Sequence, residues 1–120
     1  MLDLRIEKLG ELGTVECIGR IVRSDDAFKL RRAMMAIEDS RIIVLDLSEV
    51  NAIEDGGLGM LRFLLQWTRD HEIRFKMFNP RKSVLDRLEF AGSVLLLHIA
   101  SLEEMMVLLA NADNVLAPAA

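Results

Sequence analysis

The segment Ile42-Ile43-Val44-Leu45, closed by Asp46, most limits what this chain can build. A strand with one wet face alternates apolar and polar residues. An unbroken apolar run ending at a carboxylate instead marks a strand covered on both faces or placed at the centre of a sheet. The preceding segments supply neighbours and cover. Leu2, Leu4 and Ile6 alternate with Asp3, Arg5 and Glu7, the stretch from Gly10 to Gly13 supplies a turn, and Val15, Cys17 and Ile21 carry the apolar face of a second strand. So short a connection joins antiparallel neighbours, and the chain is predicted to open with a hairpin. Ser24 suits a helix N-cap with Asp25 and Asp26 in the first turn, and Ala27, Leu30, Met34 and Ile37 follow at helical spacing.

Beyond the central strand, a loop through Ser48 and Asn51 leads to a second helix starting at Gly56, carrying Leu58, Leu61 and Leu65 and ending near Asp70 and His71. Ile73, Phe75 and Met77 alternate with Arg74 and Lys76 as a further strand. Asn79-Pro80 signals a helix start, Val84, Leu85 and Leu88 its buried stripe, and Gly92 its stop. Val94 to Ile99 reads as a last short strand. Ser101-Leu102-Glu103-Glu104 has capping-box spacing, ahead of a helix with Leu102, Met105, Met106 and Leu109. This order calls for an α/β domain: a mostly parallel sheet with one N-terminal antiparallel edge strand and about four helices. Residues 1–112 form the domain and 113–120, with Pro118 and small residues, a frayed tail. In such sheets function sits in the loops after the strands, here Val22 to Asp26, Asp46 to Gly57 and Asn79 to Arg81.

Charge and composition narrow the function. The 120 residues include 15 Lys and Arg against 19 Asp and Glu, a net charge of −4, so a broad grip on nucleic-acid phosphates is not expected. The 52% hydrophobic content suits a packed core rather than a disordered acidic segment. A single cysteine, Cys17, cannot form an intrachain disulfide, and its position on the face of Val15 and Ile21 points to packing. His71 and His98 lie too far apart in sequence to suggest a metal site, and His98, in an apolar segment, is read as structural. The N-terminus alternates apolar and charged residues instead of resembling a secretory leader, which predicts a cytoplasmic protein. Every apolar run is interrupted before the roughly 18 residues of a membrane span, so any membrane link is expected to go through a partner.

The run Ile43-Val44-Leu45-Asp46-Leu47-Ser48-Glu49-Val50-Asn51-Ala52-Ile53-Glu54-Asp55-Gly56-Gly57-Leu58-Gly59 resembles the signature of the STAS family, named for sulfate transporters and anti-sigma factor antagonists. Gly19-Arg20-Ile21-Val22 resembles the end of that family's second strand. Phe78-Asn79-Pro80 resembles its corner into the third helix, and Ser101-Leu102-Glu103-Glu104 the start of its last helix. The resemblance implies a protein-binding regulator without cofactor or enzymatic activity, similar to antagonists that bind a serine-kinase anti-sigma factor and so release a sigma factor. It is compatible with a homodimer. In the family's pattern the phosphoacceptor serine or threonine directly precedes the glycine matching Gly57, and here that position is Gly56, with Asp55 before it. A carboxylate has less charge and fewer acceptor oxygens than a phosphate, so Asp55 is an acidic substitution and not a mimic. Many phosphorylated members also carry an aspartate where this chain has Val22. The implied docking loop comprises Asp46, Ser48, Glu54, Asp55, Gly56 and Gly57, and no phosphorylation is expected at Gly56.

Other readings attach to the same residues. Gly56, Gly57 and Gly59 at a helix start could hold a nucleotide or phosphate, but no Gly-x-x-x-x-Gly-Lys-Ser/Thr element accompanies them, and a tight turn with close helix packing explains them more simply. Asp46 lacks the acidic cluster and late lysine of a receiver-type phosphoacceptor and is expected to accept backbone or Ser48 hydrogen bonds. Ser24, Ser48 and Ser101 are accounted for by capping and turn roles. Apolar character on the second helix spreads wider than one buried face needs, so Met60, Leu64 and Trp67 are predicted to form an exposed docking stripe. Such a stripe would equally suit a STAS subunit docking on the ATPase of an inner-membrane lipid-transport ABC system.

Overall fold

The computed structural model describes residues 1–116. Strands β1 (Leu2–Leu9) and β2 (Leu12–Ile21) form the predicted hairpin, with Leu9 facing Leu12 and Gly10 in the left-handed region at φ 60°. Helix α1 (Ser24–Met35) follows, capped at Arg23 rather than Ser24. The helix reaches back to fix the chain that enters it: the Asp26 carboxylate accepts from the Val22 and Arg23 N–H groups at 3.4 and 3.2 Å. Then come β3 (Ile42–Ile53), α2 (Asp55–Asp70), β4 (Arg74–Phe78), α3 (Lys82–Ala91), the single turn α4 (Ser93–Leu96), β5 (Ile99–Ala100) and α5 (Leu102–Leu116). The sheet order is β1-β2-β3-β4-β5, antiparallel at the hairpin and parallel elsewhere.

The central-strand reading of Ile42–Leu45 holds. Ile43 and Leu45 pack into the core built with α1, α2 and α3, and Val44 packs on the opposite face with Met105, Leu108 and Ala112 of α5. Cys17 is fully buried in the first of these cores beside Val15 and Ile21. The Ser101 capping box forms as read: the Ser101 amide donates to Glu104 Oε1 at 3.2 Å and the Glu104 amide to Ser101 Oγ at 3.1 Å.

Four expectations are corrected. Ser48 and Asn51 lie in β3 and not in a loop. Beyond Asp46, β3 outruns β4 and pairs with β2 alone, through two register shifts, so its residues meet water on one side and take polar side chains without leaving the strand. The apolar run Val94–Ile99 divides into α4 and a two-residue β5, because Gly92 at φ 131° turns the chain and Ser93–Leu96 coils; a short apolar run has no period that separates helix from strand. Among the described residues the helices therefore number five. Helix α3 is capped at Arg81 and not at Asn79-Pro80, Asn79 itself taking φ 54°. Helix α5 runs to Leu116, into the stretch read as a frayed tail; residues 117–120 of that tail lie outside the described residues. Among the described residues no helix is long and apolar enough to cross a membrane.

Candidate functional site

The ends of β2 and β3 and the starts of α1 and α2 meet at one edge of the sheet. Strand β3 delivers Glu54 in extended conformation as the residue before α2, tied back to β2 by its amide, which donates to the Ile21 carbonyl at 3.2 Å. Helix α2 is thereby set directly on the end of β2. A Cβ at position 57 would lie 2.5 Å from the Ile21 carbonyl oxygen and 2.8 Å from side-chain carbons of Ile21 and Ile53, so glycine is what lets helix and sheet approach so closely. Position 56 differs. A Cβ there would meet only the Val22 carbonyl oxygen, at 3.6 Å, an ordinary contact, and at Gly59 it would meet nothing within 4 Å. Position 56, where the resemblance would put a phosphoacceptor, is therefore exposed and roomy, and its glycine is not a packing requirement.

The α2 start presents two carboxylates, Glu54 and Asp55, both held by a cation from α3. Arg87, reaching over from α3, places Nη2 at 3.4 Å from Glu54 Oε2 and 3.3 Å from Asp55 Oδ1. The two carboxylates lie where the first-turn amides of α2 favour negative charge, and being solvated the pairs contribute about 0–1 kcal/mol each. A second arginine works further along β3: Arg81 Nε donates to the Ser48 carbonyl at 3.0 Å, and its Nη2 lies 3.7 Å from Glu49. Arg87 was not legible as a site residue and Arg81 only as the end of the Asn79 to Arg81 loop, since each acts across more than thirty residues of sequence and its contact carries no local signal.

The six residues of the implied loop divide in two. Glu54, Asp55, Gly56 and Gly57 come together at the α2 start. Asp46 and Ser48 do not join them; they sit further back in β3, Asp46 roughly 26 Å from Glu54 at strand rise. There Asp46 Oδ1 accepts from the Ser48 amide at 2.9 Å and the Ser48 hydroxyl at 2.6 Å, the bonds expected of it, made where β3 shifts register. Asp46 also borders a cleft beside α5 with Arg5, Glu16 and Met105.

The docking stripe is corrected as well. Leu64 is 0% and Trp67 8% exposed, and only Met60 of the three is partly open. Helix α2 packs on the sheet and also against α1, so Leu64 and Trp67 share a core with Leu30 and Met34, and the wide apolar arc covers two neighbours instead of reaching solvent. The apolar residue that α2 does present is Phe63, under the Arg31 guanidinium at 5.1 Å. The histidines make backbone contacts: His71 Nδ1 lies 2.8 Å from the Trp67 carbonyl oxygen and His98 Nδ1 3.2 Å from that of Phe75.

Comparison with known proteins agrees with this architecture. The anti-sigma factor antagonist SpoIIAA in its unphosphorylated form superposes with a TM-score of 0.72 at 14% identity, over 92% of this chain and 97% of that one. An anti-sigma factor antagonist from Mycobacterium paratuberculosis gives 0.73 at 15% identity, over 89% and 92%. The STAS domain of a SulP transporter from Vibrio cholerae gives 0.60 at 19%, over 89% and 86%. Among curated proteins none matches the chain in sequence. The family model for the STAS domain matches residues 5–105, and this chain belongs to the STAS domain family.

Proposed function

We propose that the chain is a non-enzymatic, protein-binding regulator of the anti-sigma factor antagonist kind. It docks through the start of α2 on a serine-kinase-type anti-sigma factor or a related switch protein in the bacterial cytoplasm, and no phosphorylation switches it there. The observation that carries this reading is Gly56: exposed, with space for a side chain, yet without a hydroxyl, in a stretch from Ala52 to Leu61 that holds no serine, threonine or tyrosine. The similarity to SpoIIAA over nearly the whole chain supports the antagonist kind. Such a protein competes for its partner constitutively, or is controlled through some other handle. The glycine-based nucleotide reading loses ground, because Gly57 is required by the Ile21 carbonyl and Glu54 and Asp55 repel an incoming anion. A second reading, a STAS subunit serving a membrane transport system, draws support from the similarity to the Vibrio cholerae transporter domain. The burial of Leu64 and Trp67 removes its original argument, the exposed apolar helix.

Affinity purification from native cells with mass spectrometry tests the choice. Recovery of a serine-kinase anti-sigma factor supports the antagonist, and recovery of an ABC-type ATPase supports the second reading. With the kinase in hand, the wild-type complex is expected to survive ATP, whereas Gly56→Ser should be phosphorylated and released. Equal release of both proteins by ATP refutes the lost switch.

A further inference from the structure

Two turns along α2 from its start, a second surface opens that the proposed function does not use. Arg62, Gln66 and Arg69 line one wall of a groove of about 300 Å³, and Gly92, Val94 and Leu95 at the α3–α4 corner form the other. The Arg62 guanidinium spans the groove at one point and donates to the Ala91 carbonyl. Gly92, at φ 131°, makes the corner and leaves that wall without a side chain. On that wall Val94 is 54% exposed, and two further apolar residues of the same corner segment, Phe90 at 85% and Leu97 at 75%, also face solvent.

The charges here are uncompensated. Among the described residues, neither Arg62 nor Arg69 has a carboxylate within ion-pair distance. The adjacent Asp70 accepts from Gln66 Nε2 at 2.8 Å instead. An exposed arginine costs nothing by itself. What distinguishes the groove is two of them on one wall, in a chain of net charge −4, facing the exposed apolar Val94 on the other.

We infer that this groove is a docking site for an acidic amphipathic helix of a partner protein. Seven residues of α2 set Arg62 and Arg69 about 10.5 Å apart along the axis. A helix lying alongside therefore meets both with carboxylates at positions i and i+7, while apolar side chains between them on the same face reach toward Val94. A small anion would satisfy the arginines but leave Val94 wet. A flat anionic bilayer would touch the rim without filling a groove of about 300 Å³. The surface is separate from the start of α2, so one molecule could hold two partners.

The test is a phage-displayed library of helical peptides of about five turns, panned on the full chain, with the selected peptides synthesised and measured by fluorescence anisotropy. Enrichment of Asp or Glu pairs seven residues apart around apolar positions is expected. Affinity should fall roughly tenfold or more in both Arg69→Glu and Val94→Asp, and also at high salt. Both residues are exposed, and an unchanged melting temperature confirms that the variants fold. Selection without acidic enrichment, or peptides that bind both variants as tightly as wild type, overturns the inference. So does inorganic phosphate raising the melting temperature of wild type but not of Arg69→Glu while no peptide is selected. Flotation with phosphatidylserine-containing vesicles, lost in Arg69→Glu while no peptide is selected, overturns it equally.

Discussion

Two adjacent glycines at the start of α2 should respond unequally to the same substitution. At position 57 a serine Cβ would stand 2.5 Å from the Ile21 carbonyl oxygen and 2.8 Å from Ile21 Cγ2 and Ile53 Cγ1. Two of these atoms could yield by side-chain rotation, but the carbonyl belongs to a paired strand and accepts the Glu54 amide. Overpacking of this kind costs about 1–3 kcal/mol, of which the loss of glycine's freedom in the unfolded chain returns about 0.4–1 kcal/mol. Because the 2.5 Å contact is with paired backbone, the upper part of that range applies, and Gly57→Ser should lose about 1–2.5 kcal/mol net, a melting temperature lower by roughly 4–10 °C for a domain of this size. At position 56 the same change has no clash to set against the entropic gain, and Gly56→Ser should lie within about 0.5 kcal/mol of wild type. Urea unfolding followed by far-ultraviolet circular dichroism measures both, with unchanged m-values as the check on two-state behaviour. Equal losses in the two variants, or none at 57, would refute the close approach of α2 to β2 on which the site geometry rests.

Trp67→Ala should cost about 3–5 kcal/mol, as core aromatic deletions do, read by circular dichroism since the variant has no tryptophan left; a loss under about 1 kcal/mol would return Trp67 to the surface. Asp46→Ala leaves the Ser48 amide without its acceptor in a half-buried strand and should cost about 1–2 kcal/mol, with amide chemical-shift changes centred on residues 46–49 and not on the α2 start. Arg87→Ala removes only solvated pairs, so stability should change by less than about 1 kcal/mol while affinity for the α2-docking partner changes; unaltered binding would remove Arg87 from the site. The Ser101 amide, and then Lys76, hold the Glu104 carboxyl below the usual glutamate range. That contribution is present above the unfolded-state value and is lost as pH falls through the lower folded-state one. In a carboxyl NMR titration Lys76→Met should raise the Glu104 midpoint without restoring it fully, because the Ser101 amide remains; a full return would mean that the capping bond contributes nothing.

What could be read in the sequence depended on whether a residue's partner lay nearby in the chain. The hairpin, the Ser101–Glu104 box, the Asp46–Ser48 bond and the stop at Gly92 are all local, and all are present. The central strand was legible for another reason: cover on both faces leaves an unbroken apolar run. Leu64 and Trp67 were misread because periodicity reports how wide an apolar arc is but not how many neighbours share it, and α1 takes the second share. Ser48 and Asn51 were misread because polar residues suit a loop and an overhanging strand alike. Arg81 and Arg87 join α3 to β3 and to the α2 start, and only the folded chain brings them there.

Cys17 has a practical consequence of its own. It lies fully buried, and burial, followed by the nearby Asp46 and Glu16 charges, pushes its thiol far above the ordinary range. Since the thiolate is the reactive form, an alkylating or oxidising reagent meets a competent sulfur only in molecules whose sheet has come apart. Where reclosing outpaces the reagent, the rate of modification measures the fraction of such openings, and faster labelling at unchanged global stability would mean that β2 opens locally. With no other cysteine in the chain, a single mass increment suffices to time that event without any engineered label.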